Sequence, residues 1–359
     1  VEAYGMAERA VRIFDVVRPL VALVLGLVLG ASVTAFAGEN PLHVLALLGT
    51  SAFGSLYDIG MSLFYATPLL FTGLSVALAF RGGLFNIGAE GQLVLGAMAA
   101  AAVGILAPGL PPVLALPLAF AAAFAAGAAW GAIPGALKAW RGSHEVITTI
   151  MLNFVAAGIV SYVTLYVLRN PSEQSPETLP VGEGFRLPAL PGFEDAPVSA
   201  ALLVGLVGAL ALGILLARTV TGFRIRAVGE NESAAARAAI GVGRMRVATM
   251  ALAGGVAGLA GLFDVLGASG RFKLGFSADY GFTGIAVALL GRSRPLGVVA
   301  AALLFGALHK GAADLDFETE NVTRDLATVL QAMVILTVCA DGLWDAWRSR
   351  LARRKATAA

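Results

Sequence analysis

Charge is scarce in this sequence. Only 13% of its 359 residues are Asp, Glu, Lys or Arg, whereas a soluble domain carries roughly 25%, so an ordinary water-facing surface cannot be built from it. The single cysteine, Cys339, lies inside an apolar run, which excludes a disulfide framework and a cysteine-built metal cluster. The three histidines, His43, His144 and His309, lie far apart and have no Cys or His neighbour at ligand spacing, so no metal site is expected. No lysine directly follows a glycine. That removes the phosphate-binding loop G-x-x-x-x-G-K-[ST], and the chain is not expected to hydrolyse ATP itself. A G-x-S-x-G elbow is missing too, and no paired carboxylates sit in an apolar helix at a spacing suited to acid–base work. Enzyme readings have little to stand on.

What the chain has instead is apolar length: 58% of it is hydrophobic. Runs of about 20 residues recur, each long enough to cross a hydrocarbon core of about 30 Å as a helix. They are rich in Leu, Ala, Val and Gly without the alternation of barrel strands, so the expected class is an all-α polytopic membrane protein. Spans are expected near 19–37, 58–80, 89–107, 112–138, 145–168, 198–217, 246–268, 281–291, 296–313 and 326–346. The first run is followed by Gly38-Glu39-Asn40 without a clean small-x-small cleavage site, so it is read as a retained span. Residues 42–56 are apolar but interrupted, fitting an interfacial helix or the start of a long second span.

The net charge of +2 matters less than where the charges lie. Arg9, Arg12 and Arg18, then Lys138 and Arg141, the six arginines of 218–246, Arg292 and Arg294, and the tail from Arg348 to Lys355 all fall on one side of this arrangement. By the positive-inside rule that side is cytoplasmic, with both termini. The acidic loops 169–197 and 314–325 fall outside. Trp140, Trp344 and Trp347 stand beside the basic ends, where indoles anchor at the interface.

Ten spans divide five plus five around the loop 169–197, giving repeats over about 19–168 and 198–347 within one transmembrane domain, 1–359. An odd number in each half makes the halves inverted, the arithmetic of transporters built from inverted repeats. Each half carries a glycine-rich polar break leading into a small-residue helix: FNIGAEGQLVLGAMAA, with its break near 81–92, and GFSADYGFTGIAVALLG, with its break near 269–283. Paired interruptions of this kind point to a translocation path. AAAFAAGAAWGAIPGA and ALAGGVAGLAGL hold small residues at spacings of three and four, which lets helix backbones approach closely. Pro117 and Pro134 are expected to kink the fourth span.

The segment 218–246 is different in kind. Glu232 to Ala239 has high helix propensity, Asn231 offers an N-cap and Gly241 a stop. A short helix would project from the membrane between basic flanks, either as a topology-fixing loop or as a docking helix for a cytoplasmic partner.

FRGGLFNIGAEGQLVLGA, HEVITTIMLNFVA, RAVGENESAAARAAIGV and GFTGIAVALLGRSRPLGVVAAALLFGAL, in this order from about residue 60 to 340, resemble the marked stretches of bacterial ABC-importer permeases. The group is the one that contains the branched-chain amino acid, simple-sugar and nucleoside systems, and the nucleoside type is the most similar subgroup. The resemblance implies a subunit in the bacterial inner membrane that binds no cofactor itself. It implies a second homologous permease, a cytoplasmic ATPase with two nucleotide-binding domains that handles ATP and Mg²⁺, and an extracytoplasmic substrate-binding lipoprotein. Membrane lipid is expected around the chain and nucleic acid is not. The family's coupling helix maps onto Asn231, Glu232, Ala235, Ala236, Arg237 and Gly241, with one departure: this chain reads Ala-Ile-Gly where the family often reads Ala-Gly-Ile. The path is expected to be lined by Phe85, Asn86, Glu90 and Gln92 in the first break and Ser269, Ser277, Asp279 and Thr283 in the second, with Thr149 and Asn153 on the fifth span. Nucleosides, being neutral and partly aromatic, suit amide groups with aromatic neighbours such as Phe154 and Tyr280. A neutral sugar suits them almost as well. The rival readings are an ion-coupled secondary transporter and a membrane receptor or scaffold.

Overall fold

A computed structural model of the protein describes residues 21–22, 24–277, 279–319 and 324–339. Thirteen α-helices lie among them: α1 (Val24–Thr34), α2 (Pro41–Phe53), α3 (Leu56–Arg81), α4 (Ala89–Leu106), α5 (Pro112–Arg141), α6 (Glu145–Tyr162), α7 (Ala201–Arg218), α8 (Val220–Glu230), α9 (Glu232–Arg237), α10 (Val242–Gly258), α11 (Tyr280–Leu290), α12 (Pro295–Glu318) and α13 (Arg324–Cys339). Wide turns with i→i+5 bonding extend α6 over Val163–Val167 and follow α10 over Phe263–Ala268.

Seven of these helices are long and apolar enough to cross a membrane: α3, α4, α5, α6 and α10 with their extensions, α7 and α12. They coincide with seven of the ten expected spans. The described parts of 19–37 and 326–346 are helical, and the remainder of both lies outside the described residues, as do the basic tail, Trp344 and Trp347. The expected span 281–291 is α11, only 11 residues long. Most of 42–56 belongs to the separate helix α2, which ends at Phe53, because the chain breaks at Gly54-Ser55 before α3 begins at Leu56. There the Ser55 side chain caps α3 by accepting the Asp58 N–H at 3.1 Å. α5 continues without interruption through Pro117 and Pro134.

The chain divides into two compact units, 55–307 and a second formed by 1–54 with 308–359. In the second unit α1 meets α13 at Gly26, where an added Cβ would lie 2.6 Å from the Val334 Cα. In the larger unit α3 is the central helix. Every residue from Ala66 to Ala79 is buried, which is why it is apolar all round instead of amphipathic. Around it the small-residue stripes form the seam the sequence suggests. A Cβ on Gly254 of α10 would sit 2.3 Å from the Gly127 carbonyl oxygen of α5, and one on Gly96 of α4 2.2 Å from that of Gly258. Only glycine permits such contact, and dispersion and polar backbone contacts drive helix association where lipid offers no hydrophobic gain. Exposed Ile147, Phe154, Val207 and Leu210 on α6 and α7 suit a lipid-facing surface.

The segment 169–197, which reads as an outer loop, is folded onto the far end of the α10 extension. Leu187 N–H bonds Leu266 C=O at 2.8 Å, Val181 bonds Gly270 at 2.9 Å and Thr178 bonds Phe272 at 2.9 Å. Arg271 and Glu177 add an ion pair.

Candidate functional site

Two stretches interrupt the helical bundle at the places the sequence marks. After α3, Gly82 and Gly83 turn the chain, Gly83 with φ +68°, and residues 84–88 run without helix to α4. After the α10 extension, residues 269–277 and 279, before α11, are not helical. Backbone at membrane depth needs its hydrogen bonds met by other parts of the protein, and the site is built on how this is done.

In the first break Asn86 and Gln92 pair through both amides. Asn86 Nδ2 donates to Gln92 Oε1 at 2.8 Å, and Gln92 Nε2 donates to Asn86 Oδ1 at 3.0 Å. Asn86 also donates to Ser75 on α3 at 3.1 Å and accepts the Gly88 N–H at 3.2 Å. Both amide side chains are fully buried, so their polar atoms bind the break to itself. Asn153 on α6 supplies what the start of α4 lacks: its Oδ1 accepts the Gly91 N–H at 2.9 Å and its Nδ2 donates to the Ile87 carbonyl at 3.0 Å. Thr149 is buried one turn earlier, its hydroxyl bonded to the Glu145 carbonyl of its own helix at 2.7 Å. Phe85 packs on Phe80 with ring centres 4.9 Å apart.

The two breaks meet. Glu90, the second residue of α4, accepts through Oε2 the N–H of Gly281, the second residue of α11, at 2.7 Å. The backbones touch there, since a Cβ on Gly281 would lie 2.3 Å from the Glu90 nitrogen. Ser277 and Asp279 lie close to Glu90. Asp279 takes φ +59° at the cap of α11, and Thr283 bonds back to its carbonyl at 3.0 Å. The Thr72 hydroxyl of α3 donates to the Tyr280 carbonyl at 3.0 Å, which fixes the depth. Thr72 lies nine residues before the end of α3 at Arg81, about 14 Å at 1.5 Å per residue, so Glu90 is well inside the bundle.

The sequence reading missed the far side of this meeting point. Asp264, half-buried in the wide turn after α10, accepts the Ser269 hydroxyl at 2.9 Å, and Ser269 also donates to the Arg271 carbonyl at 2.8 Å. Tyr280, which is near both Asp264 and Glu90, belongs to an aromatic cluster: Phe263 is 4.8 Å from Phe64, 5.7 Å from Tyr280 and 6.3 Å from Phe276, ring centre to ring centre. The available signal was one acid inside an apolar span, GLFDVLGA, which is costly in a membrane and therefore a mark of function. Among the described residues no group of three His, Cys, Asp or Glu side chains could hold a metal ion.

The segment 218–246 holds two helices, α8 and α9. Asn231 caps α9, its Oδ1 accepting the Ala234 N–H at 2.9 Å, and Glu232 pairs with Arg246 on α10. Ala235 is buried, whereas Ala236, Arg237 and Gly241 are exposed. One expectation is corrected: Gly241 does not stop α9. The helix ends at Arg237 and the chain turns at Ala239, φ +58°, with Ile240 N–H reaching back to the Ala235 carbonyl at 3.0 Å. That is a left-handed terminator, a conformation favouring glycine, and the Ala-Ile-Gly order delays glycine to the cap of α10.

The chain is 37% identical to the guanosine ABC transporter permease protein NupP of Bacillus subtilis, covering 92% of this chain and 94% of that protein. It is 32% identical to the nucleoside ABC transporter permease protein NupB of Lactococcus lactis, covering 89% of each. It is 33% identical to the glucose ABC transporter permease protein TsgB13 of Haloferax volcanii, covering 93% of this chain and 90% of that one. No solved structure matches it. Residues 59–339 match the family of branched-chain amino acid transport system permease components, and the chain belongs to that family.

Proposed function

We propose that this chain is the permease subunit of an ATP-driven importer that carries nucleosides across the bacterial cytoplasmic membrane, with both termini inside. The supporting observation is the meeting of the two breaks at Glu90 and Gly281 beside the rings of Phe263, Phe276 and Tyr280. Flat rings favour a stacked or edge-on aromatic base. Glu90, Asp264 and Ser277 accept hydrogen bonds from hydroxyl and amino groups, so a neutral donor-rich solute needs no opposite charge. Phe85, Asn86, Gln92, Thr149 and Asn153 shape the wall on the first-half side, and Ser269, Asp279 and Thr283 on the other. The NupP and NupB names, guanosine and nucleoside, favour the same substrate class.

In this reading 1–359 is one transmembrane domain of two inverted repeats, and α9 docks in a groove of a separate two-domain ATPase that binds the ATP and Mg²⁺. A second, homologous permease completes the path, and an extracytoplasmic lipoprotein delivers substrate. Asn231, Glu232, Ala235, Ala236, Arg237 and Gly241 form the docking element. It works only if its contacts differ in free energy between the inward- and outward-open states.

The test is uptake by the assembled complex in vesicles, comparing guanosine, uridine, ribose, glucose and leucine, with ATP withdrawn while a proton gradient is kept. Saturable guanosine or uridine uptake that stops without ATP is expected. Glucose or ribose uptake without nucleoside uptake overturns the substrate, and uptake driven by the gradient alone overturns the importer.

A further inference from the structure

The last residues of α8 touch the first break directly. A Cβ on Gly229 would lie 2.3 Å from the Arg81 carbonyl oxygen and 2.8 Å from the Gly83 nitrogen, and one on Gly83 would lie 3.0 Å from the Gly229 Cα. Backbone is pressed on backbone with no side chain between. Gly229 is two residues before Asn231, the cap of α9, so the contact sits at the root of the coupling segment.

From this contact the first break holds α11 at both ends. Arg81 Nε donates to the Ser293 carbonyl at 3.0 Å, just past the C-terminus of α11, where Arg292 and Ser293 take φ 53° and 51°. Glu90 holds the N-terminus at Gly281. Between these two holds, Asn86 is locked to Gln92 and to Ser75 of α3, which leaves residues 81–90 little freedom to deform. Close-packed backbone transmits displacement because it cannot be compressed. A long side chain at the same place could absorb it by changing rotamer.

We infer that the Gly229–Gly83 contact is the joint through which motion of α9 reaches the paired breaks. Gly229 and Gly83 are positioning residues: they touch no substrate, and they fix how far α8 can move before the Arg81–Glu90 segment and α11 move with it. The inference rests on the importer reading given above.

The experiment compares Gly229→Ala with Gly208→Ala, a control in α7 with open space around it. Both are measured in the full complex for assembly, ATP hydrolysis and guanosine uptake. For Gly229→Ala the expected result is ATP hydrolysis within about two-fold of the unmodified complex, uptake reduced at least ten-fold, and a correspondingly larger number of ATP molecules used per guanosine. Gly208→Ala is expected to change neither. Uptake within two-fold, or hydrolysis and uptake falling together in proportion, overturns the joint. A second measurement needs no variant: in the unmodified complex, amide exchange at 82–88 is expected to change together with 229–237 when ATP is trapped. A change at 229–237 alone overturns the joint even if Gly229→Ala does not assemble. Unmodified complex that shows no ATP-dependent uptake condemns the importer reading instead.

Discussion

The carboxylate of Glu90 accepts the N–H of Gly281 at 2.7 Å, and each is the second residue of its helix, α4 and α11. Under a five-plus-five division those helices are the third of each half. If the halves are inverted repeats as proposed, their equivalent positions fall near the axis that relates them. The Glu90 carboxylate meets one of the orphan donors at the start of α11, which has no intrahelical partner.

Replacing Glu90 separates its two roles. Glu90→Ala leaves the Gly281 N–H unmet inside the bundle, a cost of about 1–3 kcal/mol, read as a lower melting temperature of the purified complex. Glu90→Gln keeps an acceptor oxygen and is expected to melt close to the unmodified protein while uptake of nucleoside still falls, because the second carboxyl oxygen is replaced by an amide donor in the proposed path. Equal melting of the Ala and Gln variants would remove the capping role.

Asn153 is expected to behave as a structural cap with a graded response. Asn153→Asp keeps the acceptor for Gly91 but loses the donor to Ile87, and Asn153→Ala loses both. At about 1–3 kcal/mol for each unmet buried group, the order of stability is Asn, Asp, Ala by thermal melting. Asp no more stable than Ala would contradict it.

Ala239 carries strain that glycine does not. A left-handed residue with a side chain costs roughly 1–2 kcal/mol, so Ala239→Gly is expected to order α9 more firmly and to strengthen capture of the ATPase in co-purification. Asn231→Ala removes the cap, worth about 1 kcal/mol, and is expected to act in the opposite sense. Weaker capture by the glycine variant would show that the turn at Ala239 is not the limiting feature.

The α5–α10 seam has no room for a methyl group. Gly254→Ala brings a Cβ to 2.3 Å from the Gly127 oxygen, so the helices must part, and overpacking costs typically about 1–3 kcal/mol. Detergent-solubilised Gly254→Ala is expected to melt lower or aggregate. A normal melting curve would mean that the seam yields more readily than its backbone contacts suggest.

Much of this molecule was legible in order along the chain. Hydropathy and length mark the spans because a bilayer demands helices of one length, as in 112–138 against Pro112–Arg141. Small-residue spacing marks the seam because only glycine lets backbones touch, and local capping chemistry marks Asn231. Gly241 was misread because glycine is a common stop but not an obligatory one, and the turn closes two residues earlier on Ala239.

The sequence by itself determined the class, the places where the chain breaks, and which residues are polar there, since those follow from composition and period. Only the tertiary structure decided what the polar groups bind. Asn86 spends its amide on Gln92, Asn153 caps a helix from another element, and Glu90 reaches across 191 positions to Gly281. Asp264 joins the site for the same reason, because the wide turn after α10 brings it beside rings distant in the chain. A buried hydrogen bond is satisfied by whatever the fold places within about 3 Å, and sequence separation does not limit that.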